Sequence, residues 1–323
     1  MTKKRKYLIT GATGFVGSCL LRKLIEDEQE VDIIIRRQSN IWRIKDLLHK
    51  VKIHYLDLSS DKELLNIFKT SKPDVIYHLA TQGAYSYQND PDQIIKTNIL
   101  GTWNMIKASL PLDYELFVNT GSSSEYGSKT SVMKETDLLE PDSYYAVTKS
   151  TQTLLASFVA KSQKKPIVTL RPFSVYGPYE EPTRLIPTLM NALLFKKEMN
   201  MVNPDVARDM IYVMDVVSFY LMVDQLKQHG GEYFNVCTGV QSTIKDIVEA
   251  AVKVTGENTK FNWGGMEDRI WDKVVWMGDN TKAKDKLRWR PKYNLEEGLR
   301  KMWVWFQDNY KLYNTAKFSE AKK

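Results

Sequence analysis

Two side chains that could exchange a proton lie four residues apart in the stretch "SYYAVTKS". At that spacing, Tyr145 and Lys149 lie on one face of a helix. A phenol loses its proton at about pH 10, but an ammonium beside it stabilises the phenolate and lowers the tyrosine pKa toward a catalytic range. The pair therefore predicts a proton donor or acceptor.

A second pattern predicts where an anion binds. Gly11, Gly14 and Gly17 are spaced three apart, directly after the apolar run "KYLIT". Glycine allows backbone conformations that are closed to other residues, and it lets the N-terminus of the next helix come close to a phosphate. We therefore predict a dinucleotide pyrophosphate site at this turn. The residues assigned to it are Gly11, Thr13, Gly14, Phe15 and Val16.

Six β-rich runs, separated by segments with a helical spacing of apolar residues, indicate the elements that position these groups. The runs are "KYLIT", "VDIII", "VKIHYL", "DVIYHLA", "YELFVN" and "PIVTLR". Such alternation is typical of βαβ units, so we predict an α/β fold with a doubly wound parallel sheet of the Rossmann type. Ligands of such sheets bind beyond the carboxyl ends of the strands.

The composition argues against several other classes of protein. With 43% hydrophobic and 26% charged residues in 323, the chain is expected to form a soluble globular protein. No run approaches the roughly 20 apolar residues of a membrane span, and we predict a cytoplasmic protein that does not bind a membrane. Lysine and arginine are spread along the chain despite a net charge of +7, which argues against nucleic acid as a partner. The two cysteines and four histidines lack metal-ligand spacing, so we predict no metal.

The end of the second strand indicates the type of dinucleotide. An acid there would bind the ribose 2′-hydroxyl of NAD, but this chain has Arg36 and Arg37, and Asp32 comes too early in the strand. Arginines at this place can pair with a 2′-phosphate and stack on adenine, so we predict NADP(H) rather than NAD(H). The other residues expected along the cofactor are Asp57, Leu58, Leu79, Ala80 and Thr81.

Eight motifs occur in an order and at a spacing that are typical of one family. They are "TGATGFVG", "DVIYHLA", "NILGT", "TGSSSEYG", "YAVTK", "LRPFSVYGP", "RDMIYVMDV" and "FNVCTG". In these motifs the chain resembles the extended short-chain dehydrogenase/reductases that modify nucleotide sugars, from about residue 6 to residue 310. The resemblance implies a nucleotide-diphosphate sugar as substrate and a homodimer.

The resemblance also implies roles for individual residues. Tyr145 matches the family's catalytic tyrosine, Lys149 the lysine that also binds the nicotinamide ribose, and Ser122 the residue that hydrogen-bonds the reacting sugar oxygen. Residues that follow the fourth and sixth strands should border the sugar, because strand carboxyl ends face the crevice. The substrate-binding residues assigned in these two ways are Gln82, Tyr85, Ser123, Ser124, Phe173, Ser174, Arg184, Arg208, Arg269 and Asp272.

The domain organisation follows from a change of rhythm after Arg171, where five prolines fall between residues 166 and 187. We expect a smaller, discontinuous C-terminal domain that binds the substrate. The cofactor-binding domain is predicted at residues 1–176 and 209–238, the nucleotide-sugar-binding domain at 177–208 and 239–313, and a tail at 314–323.

The serines next to Ser122 limit the types of reaction that the chain is expected to catalyse. Similar sugar 4,6-dehydratases have a glutamate, often after an aspartate, where this chain has Ser124 and Ser123, and serine is too weak an acid or base for that elimination. Glu125 is one place later and would face the other way in an extended segment, although a one-residue slip in the alignment would restore it. Fucose-synthase-like members use a cysteine at the Ser124 position and a histidine where this chain has Tyr179.

We therefore expect an NADPH-dependent reductase of a nucleotide-linked 4-keto sugar, 6-deoxy in type, with Tyr145 as proton donor. The alternative is an NAD(P)-dependent epimerase, acting at C4 or C2, that forms a transient ketone. The arginines favour the reductase, because cells keep the NADP pool reduced for net reductions. A 4,6-dehydratase and a non-catalytic NADP-binding regulator remain as further alternatives, and the presence of Ser122, Tyr145 and Lys149 argues against the regulator.

Overall fold

A computed structural model describes residues 4–266 and 275–320 of the chain. Strands and helices alternate in its first half, as the apolar runs predict. The strands are β1 (Lys6–Thr10), β2 (Glu30–Ile35), β3 (Lys52–Tyr55), β4 (Val75–His78), β5 (Leu116–Thr120), β6 (Ile167–Pro172), β7 (Ser174–Tyr176), β8 (Met199–Met201), β9 (Ala207–Arg208), β10 (Met210–Tyr212), β11 (Tyr233–Val236), β12 (Ser242–Thr243) and β13 (Phe261–Trp263).

Helices connect the strands of the first half and form most of the second half. They are α1 (Phe15–Glu26), α2 (Asp61–Ser71), α3 (Pro91–Ile95), α4 (Gly101–Ser109), α5 (Tyr144–Ser162), α6 (Leu185–Phe195), α7 (Val213–Tyr220), α8 (Val223–Leu226), α9 (Ile244–Thr255), α10 (Thr281–Leu287) and α11 (Leu295–Glu320). A π-helical turn, Lys96–Leu100, joins α3 to α4. Two 3₁₀ turns lie at Lys45–Lys50 and Ser123–Tyr126.

The central sheet has the strand order β11-β6-β5-β4-β1-β2-β3, and all of its neighbouring strands are parallel. This confirms the predicted doubly wound sheet. The strand order reverses between β1 and β4, where Thr10 lies opposite His78. The carboxyl ends of β1, β4 and β5 are thus side by side, and a crevice at such a reversal is where ligands of this fold bind.

Both faces of the sheet are covered, because successive side chains along a strand point to opposite sides. One face packs on α2, α4 and α5, and the other on α1 and α7. The first face carries Leu8, Ile34, Ile76 and Phe117, and the second carries Ile9, Ile33, Tyr77 and Val118. All eight of these side chains are buried, so the sheet holds its strand ends rigidly.

One strand of the second half joins the central sheet and another does not. The run "GEYFNV" supplies β11, which pairs with β6 at the edge of the central sheet. Strand β10 pairs with β7 in a separate two-stranded ribbon, because β11 already occupies the edge of β6. The division into cofactor-binding and substrate-binding domains stays a prediction.

The C-terminal helix α11 buries Trp303 and Phe306 in the main core. Among the residues described, each helix is too short or too polar to cross a membrane. The cytoplasmic location stays a prediction.

Candidate active site

The turn between β1 and α1 forms a cradle for an anion. Helix α1 begins after Gly14 without a side-chain cap and without an acid in its first turn, so its first amides and its dipole are available to a phosphate. A Cβ on Gly17 would lie 2.2 Å from the Gly11 carbonyl oxygen, and one on Gly11, whose φ is +73°, would lie 2.5 Å from the Ala80 nitrogen. Glycine is therefore required for the tight packing of this turn against the residues that follow β4.

Two basic residues follow the carboxyl end of β2. Arg36 and Arg37 are exposed, and the Arg37 guanidinium lies over the Tyr55 ring, 5.1 Å from its centroid. Asp32, by contrast, is buried and hydrogen-bonded to His54 at 2.8 Å, so its carboxylate is directed into the sheet. At this strand end the accessible charge is positive.

Asp57 and Leu58 follow β3 near these arginines. The Asp57 carboxylate accepts hydrogen bonds from the backbone and hydroxyl of Ser59, and the Leu58 carbonyl accepts one from Asn104. Burial tends to raise the pKa of Asp57, but the bonds from Ser59 and the positive charges of Lys96 and Arg36 outweigh it, so the pKa is lowered. This end of the crevice thus combines a hydrogen-bonded carboxylate with exposed cations.

Asn98, which was not predicted to be a site residue, holds the segment after β4 in place. Asn98 lies in the π-helical turn, where its side-chain oxygen accepts from the Gln82 backbone at 2.8 Å and from the Thr81 hydroxyl at 3.2 Å. Its amide nitrogen donates to the Gln82 carbonyl and to Thr148 on α5, both at 2.9 Å. Asn98 therefore joins the strand end to the helix of Tyr145. Its place in the "NILGT" motif is the signal that could have identified it.

Ser122 and Tyr145 are brought together at the carboxyl end of β5. Ser122 caps the 3₁₀ turn by accepting a hydrogen bond from the Ser124 backbone, and its side chain is near enough to Tyr145 to affect the pKa of the phenol. Burial raises the pKa of Tyr145 to about 12, although the Ser122 side chain lowers it. The phenol is therefore protonated at neutral pH, which corrects the expectation that its pKa is lowered.

Lys149 lies next to this pair, and its ammonium is hydrogen-bonded to two other groups. Its ammonium donates to the Thr120 carbonyl at 2.8 Å and to the Gln152 side chain at 3.0 Å, and it lies 5.9 Å from the Tyr145 ring centroid. Burial lowers the pKa of Lys149 to about 8, while the negative charge of Glu125 raises it. A buried ammonium takes the nearest strong acceptors, and here these belong to the backbone and an amide.

Glu125 lies close to Tyr145 and Lys149, but other groups hold its carboxylate. Its carboxylate accepts from the Ser122 backbone at 2.8 Å, the Thr153 hydroxyl at 3.0 Å and the Arg171 guanidinium at 2.8 Å, and it is fully buried. Burial raises the pKa of the Glu125 carboxyl and the charge of Arg171 opposes this. The carboxylate is thus committed to structural partners.

Tyr85 and Arg184 lie close to Tyr145. The Arg184 guanidinium donates to the Ala84 carbonyl at 3.3 Å and lies 5.5 Å from the Tyr85 ring centroid. Both side chains affect the pKa of Tyr145, Arg184 by lowering it and Tyr85 by raising it. These predicted substrate contacts are therefore grouped around the phenol of Tyr145.

Other predicted substrate residues lie apart from this group. The Phe173 ring is buried in a cluster with Tyr126, Met133 and Cys237, and Ser174 begins β7. The Arg208 guanidinium donates to its neighbour's carbonyl and lies 5.9 Å from the centroid of the Trp276 ring. Two further predicted contacts, Arg269 and Asp272, lie outside the described residues.

The segment after β7 is tied to the phosphate turn by a residue that the sequence analysis missed. Arg43 is buried, donates to the Thr13 and Tyr179 carbonyls at 3.4 and 2.7 Å, and pairs with Glu181 at 2.9 Å. Next to this pair, burial raises the pKa of Glu180 to about 8. Arg43 and Glu181 lie 138 positions apart in the chain, and no local pattern indicates such a pair.

Comparison with known proteins gives a consistent group of relatives. Residues 8–302 match the family described as GDP-mannose 4,6 dehydratase. The UDP-glucose 4-epimerase of Thermotoga maritima, solved with UDP-glucose, is 27% identical with a TM-score of 0.85, over 94% of this chain and 99% of that one. The UDP-glucuronic acid 4-epimerase of Bacillus cereus, solved with UDP-glucuronic acid and NAD, is 26% identical with a TM-score of 0.82, over 94% and 100%. The dTDP-D-glucose 4,6-dehydratase of Bos taurus is 23% identical over 97% of this chain and 91% of its own length.

The structural role of Glu125 can be tested by its removal. Glu125→Ala leaves the Arg171 guanidinium buried without its partner, so we expect the free energy of unfolding to fall by about 3–5 kcal/mol in urea denaturation. The matched control is Glu198→Ala, which removes an exposed carboxylate paired with Lys260 and should change little. A Glu125→Ala protein as stable as the wild type would contradict this role.

Proposed function

This chain belongs to the GDP-mannose 4,6 dehydratase family, and we propose that it is a nucleotide-sugar 4-epimerase that works through a transient keto intermediate. The predicted membership of the extended short-chain dehydrogenase/reductases is confirmed, and the chain is a nicotinamide-dependent enzyme that acts on a nucleotide sugar. The similar epimerases from Thermotoga maritima and Bacillus cereus support the reaction type. The expectation of a reductase, made from the sequence, is not confirmed.

One observation carries the proposal: the reacting groups are a phenol, a hydroxyl and an ammonium, without a free carboxylate among the described residues beside them. A 4,6-dehydration needs a second acid and base, and Ser123 and Ser124 occupy the places where similar dehydratases have carboxylates. Glu125 does not substitute for them, because its carboxylate is held by Arg171. Ser122, Tyr145 and Lys149 suffice for removal and return of a hydride at one carbon.

In the proposed reaction each side chain has a separate task. Ser122 holds the reacting sugar oxygen, and Tyr145 accepts the proton of the sugar hydroxyl and later returns it. A bound oxidised nicotinamide would supply the hydride acceptor and a positive charge. The ammonium of Lys149 would stabilise the phenolate of Tyr145 against burial, which raises the pKa of that phenol in this structure. The other predicted site residues remain proposed contacts to cofactor and substrate.

The residues at the phosphate turn and at β2 fit NADP(H). The uncapped start of α1 and the close packing of Gly11 and Gly17 support binding of a pyrophosphate. Arg36 and Arg37 support a 2′-phosphate, since the carboxylate that a ribose hydroxyl would need is buried at Asp32. The Bacillus cereus relative was solved with NAD, so this preference is proposed from the side chains of this chain alone.

The same arginines favour a second candidate, the NADPH-dependent reductase of a nucleotide-linked 4-keto sugar. The two reactions use the same side chains and differ in whether the hydride returns to the molecule that gave it. The nucleotide is proposed to be UDP or dTDP, because the similar enzymes are named for sugars of these nucleotides.

The catalytic helix also supports the proposed homodimer. On α5, the side chains of Val147, Leu154 and Phe158 share one face and are 46%, 59% and 68% exposed. Trp103 on α4, which packs on α5, is 37% exposed. An exposed apolar helix face of this kind marks a contact site, and in a two-fold dimer the same face serves both partners. We propose that a second copy of the chain covers it.

The 4-epimerase proposal is tested by incubating the protein with NADP⁺ or NAD⁺ and a UDP-hexose. We expect interconversion of UDP-glucose and its C4 epimer, followed by NMR, without net change in cofactor absorbance. Tyr145→Phe removes the proton carrier and should lower turnover by on the order of 10²–10⁴-fold. The control is Tyr144→Phe, whose ring is 61% exposed, and it should keep full activity. Loss of NADPH absorbance with a nucleotide-4-keto-6-deoxysugar, without epimerisation, would favour the reductase instead.

The cofactor preference is tested by equilibrium titration of both dinucleotides. The wild type should bind NADP⁺ more tightly than NAD⁺, and Arg36→Ala and Arg37→Ala should each weaken NADP⁺ binding about 10-fold, as loss of a charged hydrogen bond does, with NAD⁺ unaffected. Lys52→Ala, at the opposite end of β3, is the control for surface charge. Tighter binding of NAD⁺ by the wild type would overturn the preference.

The dimer surface is tested by sedimentation of a charged variant. Phe158→Glu places a charge on the apolar face, at its most exposed side chain, so a dimeric wild type should become monomeric. Val304→Glu, on another helix and at a side chain of similar exposure, 59%, should remain dimeric. A monomeric wild type would show that the face has another purpose.

A further inference from the structure

We propose that Gln152 is a positioning residue that holds the ammonium of Lys149 in its working place, an inference that rests on the catalytic role proposed for Lys149. Gln152 follows Lys149 by three residues on α5 and is fully buried. Its side-chain oxygen accepts from the ammonium at 3.0 Å, and the Thr120 carbonyl accepts at 2.8 Å. Two of the three N–H donors of Lys149 are thereby directed by the protein.

The orientation of the Gln152 amide is determined by its other neighbour. Its nitrogen donates to the Thr102 hydroxyl at 2.7 Å, and that hydroxyl gives its one proton to the Asn98 carbonyl at 2.6 Å. Thr102 can therefore only accept from Gln152. The amide nitrogen must face Thr102, and the amide oxygen must face the ammonium.

The chain of hydrogen bonds continues to the strand ends at the cofactor site. His78 is fully buried, and its Nε2 lies 2.9 Å from the Thr102 hydroxyl. Because Thr102 only accepts there, Nε2 carries the proton and Nδ1 accepts from the Thr10 hydroxyl at 2.7 Å. The Ala80 backbone in turn donates to Thr10 at 3.3 Å. The ammonium is thus connected by neutral groups to the ends of β1 and β4.

The hydrogen-bonded groups that connect Lys149 to the strand ends are uncharged. Burial lowers the pKa of His78 to about 3, so the imidazole carries no charge at neutral pH. The titratable groups that face Lys149 are Tyr145 on its own helix, Glu125 on the 3₁₀ turn and His78 on β4. An amide acceptor orients the ammonium without adding a negative charge, so the pKa of Lys149 stays near the value of about 8 that burial gives it.

Two variants separate positioning from simple packing. Gln152→Leu removes the acceptor at similar volume, and it should lower kcat on the order of 10-fold with little change in the KM of the sugar. Gln152→Glu keeps the shape and adds a charge, so it should move the alkaline limb of the kcat profile upward by about one pH unit or more. The matched control is Gln163→Glu at the exposed end of the same helix, which should leave the profile unchanged.

The pH dependence of protein stability tests the inference independently of turnover. Lys149 has a pKa of about 8 in the folded chain against 10.5 as the ordinary value, so between these values the unfolded chain binds more protons and stability rises with pH. Gln152→Glu should flatten this rise in urea denaturation, and Gln163→Glu should not. Flattening in a protein that is inactive on every nucleotide sugar would support the inference and reject the proposed function. An unchanged stability profile and an unchanged alkaline limb would overturn the inference.

Discussion

Burial of one ammonium is the constraint on which the arrangement of the site depends. A charged amine taken out of water costs several kcal/mol unless polar groups replace the solvent. Lys149 finds its acceptors in the Thr120 carbonyl, at the carboxyl end of β5, and in Gln152 on its own helix. Its place therefore depends on where β5 ends, which the parallel register with β4 and β6 determines. The sheet thus positions the catalytic groups through its strand ends rather than through its surface.

A second buried charge, that of the Glu125 carboxylate, explains why this acid is not available at the site. Glu125 is adjacent to the reacting groups in the chain, yet its carboxylate is turned inward to Arg171, where each charge compensates the other. An acid that stabilises a buried arginine cannot also move protons on a sugar without leaving that arginine unpaired. The groups left at the crevice are one phenol with its serine and lysine, which supports the proposed hydride transfer at a single carbon.

Several features of the site could not be predicted from the sequence, for physical reasons. Gln152 contacts Thr102 across 50 positions and Arg43 contacts Glu181 across 138, and neither pair follows a local pattern. The pKa of Tyr145 was expected to be lowered by Lys149, but in the folded chain desolvation dominates and the ammonium has other acceptors. Epimerase and reductase could not be separated from the residues, because both reactions use the same groups and differ in the fate of the cofactor's hydride.

The sequence by itself determined the features that depend on local chemistry. The period of apolar residues indicated the doubly wound sheet, the glycines indicated a phosphate turn, and Ser123 and Ser124 showed that carboxylates are missing from two places. Only the tertiary structure decided that Glu125 faces Arg171, that β10 leaves the central sheet and that a neutral hydrogen-bonded chain reaches Lys149. The physical reason is that backbone conformation is encoded by neighbouring residues, whereas desolvation and hydrogen-bond partners depend on groups that meet only when the chain is folded.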